Sequence, residues 1–312
     1  MKPRLIAITG ATASGKSALA MELAGRFRGE IVCMDSMQIY RGMDIGTAKP
    51  SDADRQQIVH HMLDVVSPME NYTVADYAIE AAKVIHQVLE RGKLPMLVGG
   101  TGLYLKALMH GLSLGVSPSD PAIRARLEAI ADQPGGRMIL HNRLREVDEA
   151  SANKLHPNDL RRVIRAIEVY ELTGTPLSQT RQEENGAFTV LPIAIRMERD
   201  QLFQRIGKRV DCMIHDGLYD EVKGLLEEGA SPEAQSMQGI GYKEMVPVVS
   251  GAVPLEKARE QIILNTKHYA KRQETWCRGE NATLWLEQES ALSRATEAIQ
   301  SFLSGKQAEA EA

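Results

Sequence analysis

Leu5-Ile6-Ala7-Ile8-Thr9-Gly10-Ala11-Thr12-Ala13-Ser14-Gly15-Lys16-Ser17 decides the fold, because an apolar β-rich run passes straight into the pattern G-x-x-x-x-G-K-S. A helical run, residues 18–27, follows at once. The glycines let backbone N–H groups converge on phosphate oxygens, and the N-terminus of the next helix adds positive potential. Lys16 brings a full charge and Ser17 a hydroxyl that can ligate magnesium. Gly10, Ala11, Thr12, Ala13, Ser14, Gly15, Lys16 and Ser17 therefore read as the cradle for a diphosphate or triphosphate. The competing reading is a glycine-rich strand-to-helix turn without ligand, and the pattern alone does not specify ATP.

Outward from this turn, short β-rich runs recur at residues 5–9, 31–34, 94–98, 191–195 and 284–286, mostly separated by helical periodicity. That alternation predicts an α/β fold, a P-loop NTPase-like parallel sheet flanked by helices. Between about Gly115 and Gly186 the strand signals stop, and amphipathic runs such as 122–130 and 158–172 take over. We read residues 117–186 as a mainly helical insertion in a core made of residues 1–116 and 187–304. Ser117-Pro118-Ser119-Asp120-Pro121 enters the insertion and Glu183-Glu184-Asn185-Gly186 leaves it. Residues 305–312 have no apolar face to bury and are expected to fray.

Composition bounds the chemistry. A chain of 312 residues with 43% hydrophobic and 25% charged residues can bury a sizeable core, in about two domains. A formal net charge of -4 argues against holding nucleic acid through overall charge, so any such contact must be regional. One region qualifies: from Lys257 to Arg278, six Lys and Arg stand against Glu260 and Glu274, a local +4. Cys33, Cys212 and Cys277 lie far apart with no Cys-x-x-Cys pair, which supports neither a disulfide framework nor a zinc site and fits a reducing cytoplasm. No apolar stretch reaches the roughly 18 residues needed to span a bilayer, and the first apolar run is too short for a signal peptide.

A nucleotide hydrolase would add a strand ending in a magnesium-binding aspartate and a group that positions water. Here the run 94–98 ends instead in Gly99-Gly100-Thr101-Gly102. Asp35, directly after the run 31–34, is the carboxylate best placed at the carboxyl edge of the sheet, where open α/β sheets bind ligands. Its other reading is a turn or helix cap.

The segments Asp35-Ser36-Met37-Gln38-Ile39-Tyr40-Arg41-Gly42-Met43-Asp44-Ile45-Gly46-Thr47-Ala48-Lys49-Pro50 and Val98-Gly99-Gly100-Thr101-Gly102-Leu103-Tyr104, with the glycine-lysine turn, resemble the tRNA dimethylallyltransferases, the bacterial IPP transferase family. His156-Pro157-Asn158-Asp159 followed by Arg161-Arg162, Gln238-Gly239-Ile240-Gly241-Tyr242-Lys243-Glu244, and Tyr269-Ala270-Lys271-Arg272-Gln273 extend the resemblance over almost the whole chain. Two departures are Ala11, where the family commonly carries proline, and Cys277 after Trp276, where an aromatic residue is usual. Neither removes a phosphate-binding or proton-transfer group.

The resemblance implies transfer of the dimethylallyl group of dimethylallyl diphosphate to the adenosine immediately 3′ of the anticodon, in tRNAs reading codons that begin with uridine. Adenine N6 is a weak nucleophile because its lone pair is delocalised into the ring. Alkylation therefore gains from a carboxylate that takes a proton as the bond forms, and Asp35 is the candidate base. Thr101 can aim N6 at the allylic carbon, or merely cap a helix. Lys16, the turn amides and magnesium at Ser17 would neutralise the departing diphosphate. The resemblance adds an arginine near that diphosphate, for which Arg209 is the match, with an exposed helix-face arginine as the alternative.

The target adenosine must be flipped out of the RNA to reach such a site, and Gln38 is a candidate to fill the vacated space. The resemblance implies that the tRNA anticodon stem-loop meets Asp35, Ser36, Met37, Gln38, Thr101, Ile123, Asp159, Leu160, Arg161, Arg162, Val163, Ile240, Gly241, Tyr242, Lys243, Glu244 and Met245. Helical spacing puts Leu160, Val163, Ile164 and Ile167 on one face and Arg161 and Arg165 on the other, either as RNA contacts or as a solvated surface. In the stretch Gly239 to Glu244, Tyr242 is expected to stack on a base and Lys243 to meet phosphate, with a structural glycine turn as the competing reading. Met34, Met37 and Met43 could line an isoprenoid pocket or belong to the core. A single tRNA-sized site suits a monomer. The rival readings are a P-loop small-molecule kinase using ATP and a nucleotide-sensing RNA-binding switch without catalysis.

Overall fold

A computed structural model describes residues 2–110, 119–179, 187–280 and 283–305. By its contacts the chain divides into two compact units, residues 1–109 with 187–312, and residues 110–186. The first is built on a six-stranded, wholly parallel sheet: β1 (Arg4–Gly10), β2 (Gly29–Cys33), β3 (His60–His61), β4 (Leu94–Val98), β5 (Thr189–Arg196) and β6 (Leu284–Glu287), in the order β3-β2-β4-β1-β5-β6. The five predicted runs are all strands. The sixth strand, β3, escapes sequence reading because two histidines carry no apolar alternation.

Period-two alternation builds both halves of the core. Leu5 and Ala7 of β1 enter one buried cluster with Val32, Leu97, Tyr77 and Ile85. Ile6 and Ile8 enter the other, with Leu19, Leu23, Met96, Ile193 and Ile299. Each strand is therefore apolar on both faces, as a parallel sheet clad by helices requires. Helix Val74–Glu90 packs Tyr77, Ala81, Ile85 and Val88 inward from a capping box of Thr73 and Asp76. Helix Ala291–Ser304 covers the opposite face through Ala295 and Ile299.

Because β2, β4 and β1 are neighbours running the same way, their carboxyl ends deliver Asp35, Thr101 and the Gly10 turn to one edge of the sheet. The chain leaves β1 toward β2 on one side and later returns to β5 on the other. This edge is therefore a topological switch point, the place where open α/β sheets bind ligands.

The second unit is helical among its described residues: Pro121–Ala131, Gly136–Val147, Glu149–Lys154 and Leu160–Thr173. Asp120 caps the first helix with Pro121 at its start, and Gly174 closes the last in a left-handed conformation. Leu127, Leu140, Leu144, Val163, Ile164 and Ile167 form its core. Buried Glu168 accepts from Arg124 at 2.9 Å and Arg165 at 2.6 Å, and these bonds hold its carboxyl below the usual range despite burial. Arg165 is thus tied into this ion network instead of projecting outward as its helical position predicts, whereas Arg161 and Arg162 are exposed. Val163 is fully buried, so its side chain offers RNA no surface. Ile123 and Leu160 are half-buried, and Asp159 pairs with Arg162. The expected fraying tail lies, but for Gly305, outside the described residues, as do Ser117, Pro118 and the segment 183–186 at the predicted insertion edges.

Candidate active site

The turn after β1 takes the shape that its glycines permit. Gly10 and Gly15 adopt φ of 128° and 95°, conformations in which a side chain would be strained, and Ala13 also sits in the left-handed region at 65°. Helix Lys16–Phe27 starts from Gly15 with no side-chain cap, so its first N–H groups face the turn. Ser14 is 1% exposed, yet its hydroxyl has no hydrogen-bond partner among the described residues. A buried orphan hydroxyl at this position is a group in want of an acceptor or donor from a ligand.

Positive charge converges on the same turn. Lys16 donates from Nζ to the Ala11 carbonyl at 3.4 Å. Burial and the neighbouring Arg209 guanidinium pull its ammonium down to about 8, while Asp35 pushes the other way. Arg209, from helix Arg199–His215, is likewise lowered by burial and sustained by Asp35, and its Nη2 donates to the Thr47 carbonyl at 3.5 Å. Arg209 is half-buried, not an exposed helix-face arginine. Arg205, one turn earlier and absent from the sequence reading, donates to the Ala13 carbonyl at 3.4 Å. Two desolvated cations beside an unsatisfied hydroxyl form an electrostatic hole that a polyanion would fill.

Asp35 caps the turn after β2, the second of its sequence readings. Its Oδ1 accepts from the Met37 N–H at 2.9 Å, capping the turn, while the carboxylate stays within electrostatic reach of Lys16 and Arg209. Thr101 is stapled to the same segment. Its Oγ1 accepts from Ser36 N–H at 3.1 Å and its own N–H donates to the Met34 carbonyl at 3.2 Å. The Thr101 carbonyl, not its hydroxyl, starts the next helix. The glycines around it are there to be approached: a Cβ at Gly99 would overlap the Met34 backbone, at Gly100 the Gln273 amide, and at Gly102 the Trp276 ring.

Gln273 and Trp276 belong to helix Leu255–Gly279, whose Tyr269, Gln273 and Cys277 recur one turn apart. Gln273, 5% exposed, accepts from Thr12 N–H at 2.8 Å and donates to the Gly100 carbonyl at 3.1 Å. Tyr269 meets Thr101 and Gln273, and burial pushes its phenol up to about 12. The Cys277 thiol lies 3.6 Å from the Thr9 hydroxyl. Two of the six cations counted along this helix are paired: Arg259 with Asp211 at 2.6 Å, and Arg278 with Glu274 at 3.6 Å.

The Asp44-to-Lys49 stretch folds over the site on a second set of contacts. Glu221 accepts from the N–H groups of Asp44, Ile45 and Gly46 at 2.9, 2.7 and 3.1 Å, and from the Tyr242 hydroxyl at 2.6 Å. Lys49, its side chain buried, bridges Asp44 and Asp64 and donates to the Tyr40 carbonyl. Gln38 donates to the Thr47 and Ala48 carbonyls at 3.1 and 3.2 Å, so its amide serves this stretch.

Several expected RNA contacts are relocated by these bonds. Tyr242 is 1% exposed and packs its ring against Gly46, where a Cβ would stand 2.6 Å from it, so it is no stacking platform. Met245 is fully buried. Gly241 is buried, and Glu244 caps its own helix through the Gly241 N–H at 2.7 Å and accepts from Asn265. Lys243 remains exposed and Ile240 half-buried. Met34 and Met43 are core residues, and Met37 packs partly against that core, close to Gly239. Ser17 is exposed at the start of its helix. Among the described residues, no three His, Cys, Asp or Glu side chains form a preformed metal cage, and no helix is long and apolar enough to cross a membrane.

A parallel sheet with a cationic strand–turn–helix cradle, a carboxylate on the adjoining edge, and a glycine loop where a hydrolase carries its aspartate defines an α/β group-transfer protein of the P-loop type. The model of the family described as IPP transferase matches residues 38–280, and the chain belongs to that family. The tRNA dimethylallyltransferase of Pelotomaculum thermopropionicum is 49% identical over 292 residues, 93% of this chain and 92% of that protein. A tRNA isopentenylpyrophosphate transferase structure from Bacillus halodurans superposes with a TM-score of 0.71 at 42% identity, covering 98% of this chain and 97% of that one. A eukaryotic dimethylallyltransferase acting on tRNA gives a TM-score of 0.85 at 32% identity, covering 99% of this chain and 81% of its own.

Proposed function

We propose that this chain transfers the dimethylallyl group of dimethylallyl diphosphate to N6 of the adenosine immediately 3′ of the anticodon, in tRNAs reading codons that begin with uridine, releasing diphosphate. The observation that carries the reading is the juxtaposition of half-buried, desolvated Lys16 and Arg209 with the orphaned Ser14 hydroxyl, in electrostatic reach of Asp35. Membership of the IPP transferase family supports an isoprenoid donor and a tRNA acceptor.

Transfer breaks the allylic C–O bond and forms C–N, so negative charge grows on the bridging oxygen as the carbon gains cation character. Lys16, Arg209 and the amides of the 10–17 turn lie where that charge accumulates, and they are aligned before reaction, the condition under which such groups are most effective. Asp35 takes the N6 proton, and its position is fixed by the Met37 N–H. Thr101, anchored to Ser36, steadies the acceptor base beside it. Ser17, exposed at the start of its helix, would hold magnesium, which would supply further neutralisation of the diphosphate. Arg161 on the helical unit, and Lys243, Lys257, Lys271 and Arg272 on the other, are among the exposed cations on offer to the phosphates of the anticodon stem-loop. One tRNA-sized site suits a monomeric enzyme.

Incubation with labelled dimethylallyl diphosphate and unmodified tRNA, beside a parallel incubation with ATP and candidate acceptors, tests the reading. Label entering tRNA supports it. An ATP-dependent product with no label in tRNA overturns it in favour of a small-molecule kinase.

A further inference from the structure

We infer that Gln273 is a positioning residue that holds the phosphate-binding turn and the acceptor-positioning loop at a fixed separation, so that donor and acceptor meet in register. The inference rests on the transferase reading above. Its one buried amide spans the two halves of the site, accepting from Thr12 in the turn after β1 and donating to Gly100, next to Thr101, after β4. Only one orientation of the amide satisfies both partners, because Thr12 N–H requires an acceptor and the Gly100 carbonyl a donor. Gly100 lacks a Cβ where one would overlap this amide, so the backbone has made room for the bridge. One helical turn to either side, Tyr269 meets Thr101 and Cys277 meets Thr9. The helix thus behaves as a splint along the catalytic edge, with Gln273 as the residue that touches both loops.

A bridge of this kind adds no donor to the diphosphate and no acceptor for a proton. Its loss should leave each substrate's binding groups present and spoil their relative placement, which costs rate through geometry, about 10²-fold for a displacement of about 1 Å. Gln273→Leu is therefore expected to lower kcat about 10²-fold with the KM for dimethylallyl diphosphate within about threefold of the parent.

Gln273→Glu supplies a readout that a purely structural role would not move. An ionised carboxylate can accept from Thr12 but repels the Gly100 carbonyl, whereas the protonated acid can do both jobs. The ratio of variant to parent kcat should therefore climb as pH falls, toward recovery of the parent rate. Both variants are assayed in full-length protein with labelled dimethylallyl diphosphate and tRNA, and their melting temperatures are recorded. A Gln273→Leu protein with parental kcat overturns the inference. If that variant does not fold, the Gln273→Glu ratio decides: a climb at low pH supports the bridge, and a flat ratio overturns it. A parent protein that labels no tRNA would instead refute the transferase reading itself.

Discussion

Lys16 offers a test in which the sign and size follow from its surroundings. Burial and Arg209 bring its ammonium to about 8, well below the 10.5 of a free lysine, so the cradle without donor loses its central charge as pH rises through that value. A bound organic diphosphate stabilises the charged form and raises this pKa, so binding above pH 8 must take up a proton. At pH 7 about nine-tenths of the molecules carry the charge and at pH 9 about one-tenth, so donor affinity should fall about tenfold, or ~1.4 kcal/mol. Tyr269 is pushed up to about 12, and burial raises the Cys33 and Cys277 thiols. The donor's terminal phosphate is half-ionised at about pH 6, and at pH 7 the little it releases offsets the little that Lys16 takes up. Titration calorimetry with dimethylallyl diphosphate, in buffers of different ionisation enthalpy, should show proton uptake near zero at pH 7 and approaching one at pH 9. Lys16→Met should bind more weakly with no such uptake. Equal affinity at pH 7 and 9, or the same pH dependence in Lys16→Met, would refute the reasoning.

Other expectations follow from single contacts. Asp35→Asn keeps an oxygen for the Met37 N–H but removes the base, so transfer should fall about 10²–10⁴-fold while the melting temperature holds, as steady-state assay and calorimetry would reveal. Glu221→Ala strands the Tyr242 hydroxyl and the part-buried amides of Ile45 and Gly46. At ~1 kcal/mol for each, stability should drop by about 3 kcal/mol in urea unfolding, and a loss below about 1 kcal/mol would deny that this carboxylate anchors the loop. Arg161→Ala, on an exposed helix face, should leave stability unchanged, weaken tRNA binding and flatten its log–log salt dependence by about one unit. An unaltered slope in filter binding would return this arginine to a solvated surface.

What could be read in the sequence followed the range of the physics involved. Local rules found β1, its glycine turn and the lysine, because strand, turn and helix lie within a few residues of one another. Neighbouring strand ends then placed Asp35 and Thr101 at the same edge without knowledge of their side-chain partners. Tyr242 shows the limit. A tyrosine between glycine and lysine looks suited to a nucleic-acid surface, but its environment is set by Glu221 and Gly46, which no local spacing associates with it. Gln273 carries no local signal beyond the family resemblance, because its partners Thr12 and Gly100 are brought to it by the sheet. β3 stayed hidden for a different reason: His61 is held by Glu30 at 2.7 Å, a polar contact that leaves no hydrophobic pattern. Within Leu160–Thr173 the amphipathic face was legible and Arg165 lies three residues from Glu168, but the full burial of Glu168 under Arg124 from another helix was not.

The central claim is that the cationic turn releases a diphosphate while Asp35 frees an adenine amine to attack carbon. Mass analysis of anticodon-loop nucleosides, after unmodified tRNA is treated with the purified protein, magnesium and dimethylallyl diphosphate, addresses it most directly. The account predicts one added dimethylallyl group on N6 of the adenosine next to the anticodon, absent with Asp35→Asn. RNA that emerges unaltered, or altered at another nucleoside, would contradict it.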